Sequence, residues 1–240
     1  MNHLIIGRGA VGTALYNILK KTDKSIKIVD KNPKDMKFVN VIHICFPYSE
    51  SFETLVEEYI QQYDPKIVVI HSTVRVGTTS HIREHSGIEV LHSPVVGQHN
   101  ALEEGLLTFE KWIAPANKDI KKYFEKAGMK VIEKSKSEIC ELAKLFSTFR
   151  YGLAIARAQE EARICKQIDV PFEDVSDEFL KMYNVGYRKL GMPNTCQPIT
   201  TPGFIGGHCV MPNIDLLLST YPDFIFAKAI KESNNRKQDE

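Results

Sequence analysis

The chain has 240 residues, 43% hydrophobic and 25% charged, an ordinary balance for a globular protein with a buried core. Its formal net charge of +1 creates no field for nucleic acid or an anionic membrane, and its longest apolar runs, such as residues 66–71, are strand-length and too short to span a bilayer. The cysteines, Cys45, Cys140, Cys165, Cys196 and Cys209, are odd in number and scattered without a C-x-x-C pair, which argues against a disulfide framework or a zinc site and fits a reducing cytoplasm.

Residues 3–6 read as a short apolar strand, with no signal peptide ahead of it. A glycine-rich turn follows, then a helix to about Lys20 and a second strand at 26–29 ending at Asp30. Residues 39–46 form a buried strand closed by Pro47. Helical spacing runs over 50–63, with Phe52, Leu55, Val56, Tyr59 and Ile60 on one side, until Pro65 stops it. Strands are expected at 66–71 and 89–92, with a helix at 78–85 between them. Residues 112–114, 119–127 and 130–133 repeat strand, helix and strand. The alternation predicts an α/β domain over 1–136, with a doubly wound, mostly parallel sheet.

After residue 136 the pattern changes. Residues 138–168 read as one helix, broken by Asp169-Val170-Pro171; at ~1.5 Å per residue it spans roughly 45 Å. Ile139, Leu142, Phe146, Phe149, Leu153 and Ala156 make an apolar stripe along it, expected as core. More helix is expected over 172–190, then a Pro-, Gly- and Thr-rich loop over 192–212 and short closing helices at 214–218 and 224–230. This makes 137–230 a small helical domain, and 231–240 a polar, disordered tail.

Gly7-Arg8-Gly9-Ala10-Val11-Gly12 is a G-x-G-x-x-G pattern lying between a strand and a helix, the context of a Rossmann dinucleotide site. Gly7 permits the tight turn, Gly9 lets the backbone approach a pyrophosphate, and Gly12 lets helix pack on strand. Ala10 and Val11 open the helix whose amides face the phosphates. Asp30, at the end of the second strand, would accept hydrogen bonds from the adenosine ribose hydroxyls and repel a 2′-phosphate. NAD is therefore favoured over NADP, with Lys31 offsetting the preference slightly. The alternative is a glycine turn without a ligand.

Four further segments narrow the choice. They are Val41-Ile42-His43-Ile44-Cys45-Phe46-Pro47, then His71-Ser72-Thr73-Val74-Arg75-Val76-Gly77-Thr78-Thr79, the helix at 138–167, and Gly203-Phe204-Ile205-Gly206-Gly207-His208-Cys209. Together they resemble the UDP-sugar 6-dehydrogenases, the family of UDP-glucose, GDP-mannose and UDP-N-acetylmannosamine dehydrogenases. The last segment is the most specific, and a His before the Cys is the variant of the N-acetylmannosamine branch. The resemblance implies that Phe46 and Pro47 pass near the cofactor. It implies a loop in which Thr73 meets cofactor and substrate, a catalytic lysine at Lys144 and a nucleophile at Cys209. Family members oxidise an alcohol to an aldehyde, capture it on the cysteine, oxidise the hemithioacetal to a thioester and release the acid, using two NAD. The glycines at 203, 206 and 207 would free the thiol loop, Lys144 would stabilise oxyanions, and His208 would bias Cys209 toward thiolate. The long helix forms the family's dimer centre, which implies a homodimer through residues 138–168.

The pattern also breaks. The family's S-P-E glutamate is replaced by Val95, and the asparagine four residues after the lysine by Thr148. The aspartate four residues after the nucleophile is replaced by Asn213, with Asp215 two residues beyond. No segment matches the family's last domain, which binds the nucleotide of the sugar. The missing acids serve thioester hydrolysis, so three readings stay open: an altered or single hydride transfer, help from a partner chain, or a nucleotide-binding protein without turnover. Cys209 can also be read as a small buried thiol, Lys144 as a solvated lysine paired with Glu141 or Thr148, and Thr73 as a helix cap. His71, His92 and His99 lie near strand ends without the spacing of a metal site. A second resemblance, through His92-Ser93-Pro94-Val95-Val96-Gly97, Gly105 and Trp112-Ile113-Ala114-Pro115, is to the β-hydroxyacid and prephenate dehydrogenases, which transfer one hydride but lack the G-G-H-C loop.

Overall fold

The computed structural model describes residues 1–30, 39–207 and 209–239 and, for His99, the backbone alone; Lys31 and His208 lie outside the described residues. The chain divides into two compact units, Met1–Lys144 and Leu145–Glu240. The division falls inside a long helix.

In the first unit, β1 (His3–Ile6), α1 (Ala10–Leu19), β2 (Lys27–Val29), β3 (Val41–Ile44), α2 (Phe52–Tyr63), β4 (Ile67–Ile70), α3 (Thr78–Ser86) and β5 (Glu89–His92) follow the expected order. The five strands form one parallel sheet in the order β2-β1-β3-β4-β5. The chain leaves β1 for one side and returns on the other, so the sheet has a topological switch point between β1 and β3. Successive side chains alternate between two cores. Ile5, Val41, Val69 and Leu91 join Leu15 and Ile18 of α1 on one face; Leu4, Ile6, Ile42, Ile44, Val68 and Ile70 join Phe52 of α2 and Ile82 of α3 on the other. Burial on both sides explains why the strands read as continuous apolar runs. The doubly wound Rossmann-type expectation is met.

Three differences appear here. Helix α4 (Leu102–Thr108) was not expected, because it is short and carries Glu103, Glu104 and Gly105. β6 (Lys111–Ile113) and β7 (Val131–Glu133), flanking α5 (Lys118–Lys126), pair with each other in a separate two-stranded sheet. An antiparallel bridge between His92 and Ala114 links the two sheets.

The 31-residue helix α6 (Ser137–Gln167) crosses from the first unit into the second. Its buried positions include Glu141, Leu145, Phe149, Ala156 and Gln159, whereas Ile139, expected in the core stripe, is 40% exposed. The inward face is therefore offset from the apolar stripe because polar side chains occupy part of it. The second unit continues with a π-helical stretch at Glu173–Glu178, α7 (Phe179–Lys189), α8 (Val210–Thr220) and α9 (Ile225–Asp239). Two expectations fail. The loop ends at Cys209 rather than residue 212, since Pro212 sits in the first turn of α8, where its missing N–H does no harm. The polar tail is helical through Asp239, and Ser233 and Asn234 within it are buried.

Candidate functional site

The glycine loop is built by steric exclusion. Gly7 has φ +107°, and a Cβ there would lie 2.7 Å from the Cys45 carbonyl carbon and 2.8 Å from the Phe46 nitrogen. A Cβ on Gly12 would lie 1.9 Å from the Gly7 oxygen. Only hydrogen fits at either place, so β1, α1 and the end of β3 close tightly around the switch point. Gly9 differs: nothing lies within 4 Å of where its Cβ would be, and it begins α1 with no side-chain cap and no acidic residue in the first turn. The open face beside uncapped helix amides is the space a pyrophosphate needs, and Ala10 and Val11 form that first turn. Asp30 stands at the end of β2, and the Arg8 N–H donates to its Oδ1 at 3.3 Å. The residues present thus fit a dinucleotide.

Across the switch point, half-buried Phe46 packs on Phe52 and Tyr59, and exposed Pro47 follows it. The Ser72 hydroxyl donates to the Phe46 oxygen at 2.5 Å, tying the loop after β4 to the loop after β3. Half-buried Thr73 lies in that loop. It does not cap α3, whose N-cap is Gly77 at φ +93°. The cap comes instead from Glu141 of α6, fully buried, which accepts from the Gly77 N–H at 2.7 Å, the Thr79 N–H at 3.0 Å and the Thr79 hydroxyl at 2.6 Å. Burial raises the Glu141 pKa against the pull of those bonds. Half-buried Lys144 follows one turn later on the same helix. Val95 is buried with Leu102 and Leu106, so its side chain is part of the core.

Beneath the site runs a polar line that the sequence did not announce. His3 Nδ1 is 3.0 Å from His43 Nε2, His43 Nδ1 is 3.0 Å from His71 Nε2, and His71 Nδ1 is 2.8 Å from the Ser93 carbonyl oxygen. A carbonyl only accepts, so His71 Nδ1 carries hydrogen, and His43 and His3 in turn each donate through Nδ1 to the Nε2 of the next ring. Lys111, 3% exposed, also donates to the Ser93 oxygen, at 3.0 Å. Burial holds His3 and His92 near pKa 4, His43 and His71 well below the ordinary value, and Lys111 down to about 7. Burial likewise pushes the Cys45 and Cys140 thiols up to about 12, which makes them inert. His92 Nε2 bonds the Ser72 oxygen at 3.0 Å, and His99 opens a single 3-10 turn. Among the described residues no group of three or more His, Cys, Asp or Glu could hold a metal ion.

The second unit carries the other candidates. Cys209 is exposed, so it is no buried core thiol, and it sits at the N-cap of α8. Gly207 takes φ +78°, and a Cβ on Gly203 or Gly207 would meet nothing within 4 Å. Two of the divergent positions meet: Asn213 Nδ2 donates to the Thr148 hydroxyl at 3.1 Å, and that hydroxyl donates to the Leu145 oxygen at 2.9 Å. The two side chains form a neutral pair. The loop over 203–207 is held by buried polar side chains that the sequence pattern did not mark. Asn234 Oδ1 accepts from the Ile205 N–H at 2.7 Å and its Nδ2 donates to the Ile205 oxygen at 3.2 Å. Gln159 Nε2 donates to the Gly203 oxygen at 2.8 Å, and the Ser233 hydroxyl donates to Gln159 Oε1 at 2.9 Å.

No protein-family model and no curated protein matches the sequence. Solved structures do. A UDP-D-ManNAc dehydrogenase from Pyrococcus horikoshii aligns with 99% of this chain and 69% of its own, at 19% identity and TM-score 0.76. The UDP-N-acetyl-mannosamine dehydrogenase of Staphylococcus aureus aligns with 97% of this chain and 67% of its own, at 18% identity and TM-score 0.75. The 3-hydroxyisobutyrate dehydrogenase of Mycobacterium tuberculosis aligns with 99% of this chain and 94% of its own, at 12% identity and TM-score 0.71. The chain therefore has the fold common to UDP-sugar and 3-hydroxyisobutyrate dehydrogenases, and spans about two thirds of the length of the former.

Proposed function

We propose that this protein is an NAD-dependent oxidoreductase acting on a CH–OH group of a small molecule, in the manner of the UDP-sugar dehydrogenases. The observation that carries the reading is the division of labour among the glycines: Gly7 and Gly12 are sterically obligatory, and Gly9 alone is left open beside the amides of α1. Asp30 would hold the adenosine ribose and favour NAD over NADP. When bound, NAD supplies the hydride acceptor. Lys144 would hold the substrate oxygen and manage its proton, and Thr73 would orient a hydroxyl or water. Exposed Cys209, which follows His208 in the sequence, would capture an aldehyde product. Thr148 would contribute through its contact with Asn213 rather than through an amide.

Buried Val95 and the neutral Thr148–Asn213 pair favour a second reading, in which chemistry stops after one hydride transfer or is lost. No carboxylate stands at either family position to activate water against a thioester. The same proposal includes a cytoplasmic location and a homodimer through residues 138–168. The dimer is supported by exposed Tyr151, Ile164 and Ile168. Among the described residues no helix is long and apolar enough to cross a membrane. The test is NADH formation across a panel of UDP-sugars and β-hydroxyacids. Substrate-dependent NADH that vanishes in Lys144→Ala and halts after one equivalent in Cys209→Ala supports the first reading. NAD binding with no turnover of any substrate leaves the non-catalytic one.

A further inference from the structure

The thiol loop is glycine-rich, yet it is gripped. Asn234 clasps Ile205 through both its backbone N–H and its C=O, as a neighbouring strand would. Gln159 reaches the Gly203 oxygen two residues earlier, and also donates to Asn234 Oδ1 at 3.3 Å. Ser233 fixes the Gln159 amide, and Arg163 fixes Ser233 through its hydroxyl at 2.9 Å and its carbonyl at 2.8 Å. Gln159, Ser233 and Asn234 are 1–3% exposed and Ile205 is 3% exposed. Each amide is oriented by partners on both its oxygen and its nitrogen, so neither can flip without losing bonds. Four residues beyond Ile205, Cys209 stands exposed at the start of α8.

Resting on the reading of Cys209 as a working thiol, we propose that Asn234 is its positioning residue: the Asn234–Gln159 clasp sets the path of the loop and hence where the Cys209 sulfur is presented. The glycines leave the loop many conformations, and the clasp selects one. The selection is made by α6 and α9, neither of which includes the thiol. A buried amide with both groups paired is the right tool, because it holds a backbone without adding charge beside a nucleophile.

The experiment is site-resolved alkylation of the full chain by iodoacetamide across pH 6 to 10, followed by peptide mass spectrometry. It compares wild type, Asn234→Ala, Asn234→Asp and Gln159→Leu, with melting temperatures alongside. Half-buried Cys196, in the same unit, is the internal control. Asn234→Ala is expected to change the Cys209 rate about threefold or more and to displace its pH profile, with Cys196 unchanged. Asn234→Asp, which keeps the acceptor for Ile205 N–H, is expected to restore part of the wild-type profile. Gln159→Leu, which leaves α9 intact, shifts Cys209 in the same direction by less, and stands in if Asn234→Ala fails to fold. Cys209 profiles superimposable on wild type, or equal changes at Cys196 and Cys209, overturn the proposal. Alkylation needs no substrate, so this result is separable from failure of the enzymatic reading, which shows as absent turnover in the wild type.

Discussion

The two glycine-rich loops of this molecule are held by opposite means. The loop at 7–12 is fixed by the absence of side chains: backbone meets backbone at distances where a Cβ on Gly7 or Gly12 would collide. The loop at 203–207 is fixed by the presence of side chains, since room surrounds Gly203 and Gly207 and buried amides supply the grip. Glycine therefore means close approach in one loop and conformational freedom in the other. The first kind of loop depends on backbone packed closely around Gly7 and Gly12. The second depends on residues far away in sequence.

Acid should separate the two regions most strongly. The sheet beneath the first loop contains histidines that stay neutral when folded. They take up protons below about 6.5 when unfolded, whereas His3 and His92 do so only near 4 when folded. Between those values the unfolded state binds more protons, so stability falls as pH falls from about 6.5 through 4. The loss is about 3 kcal/mol for each histidine held near 4, comparable in sum with a whole domain's stability. The clasp's amides and hydroxyl do not titrate in that range. Hydrogen exchange at pH 4.5 should open β1, β3 and β4 before the segment around Ile205, and His43→Leu should flatten the pH dependence. Equal opening of both segments would break the comparison.

Substitution within the first loop comes next. Gly12→Ala should destabilise the protein by about 3 kcal/mol or more, because its Cβ meets fixed backbone. Gly207→Ala, at φ +78° in open space, should cost about 1–2 kcal/mol of backbone strain. Thermal or urea unfolding measures both. Asp30→Ala should leave stability unchanged and weaken NAD about tenfold while narrowing its preference over NADP, read by calorimetric titration. Glu141→Gln should cost about 1 kcal/mol, seen as faster amide exchange at Gly77 and Thr79.

The legibility of the two regions differs for the same physical reason. Strand, glycines, helix and Asp30 fall within the first thirty residues, so local pattern sufficed to place them. His3 and His43 sit inside apolar runs that read as plain core, and His71 reads only as a histidine near a strand end; their alignment appears only once the register pairs Ile5 with His43 and His43 with Val69. Ser233 and Asn234 lie in a run of charged and amide residues that reads as tail, because a helix burying polar groups shows no apolar stripe. Glu141 is visible in the sequence only as an ion partner for Lys144, while its role as the cap of α3 depends on a contact 62 residues away. Short α4 offered too few residues for a period to show.

The central claim is that Gly9 is left open for a dinucleotide rather than for the fold. Calorimetric titration of NAD into wild type and Gly9→Val tests it directly, with melting temperatures recorded for both. The account predicts that wild type binds, and that Gly9→Val melts within about 1 kcal/mol of wild type yet fails to bind, since the valine fills space the protein leaves empty. Gly9→Val binding NAD as tightly as wild type would contradict it.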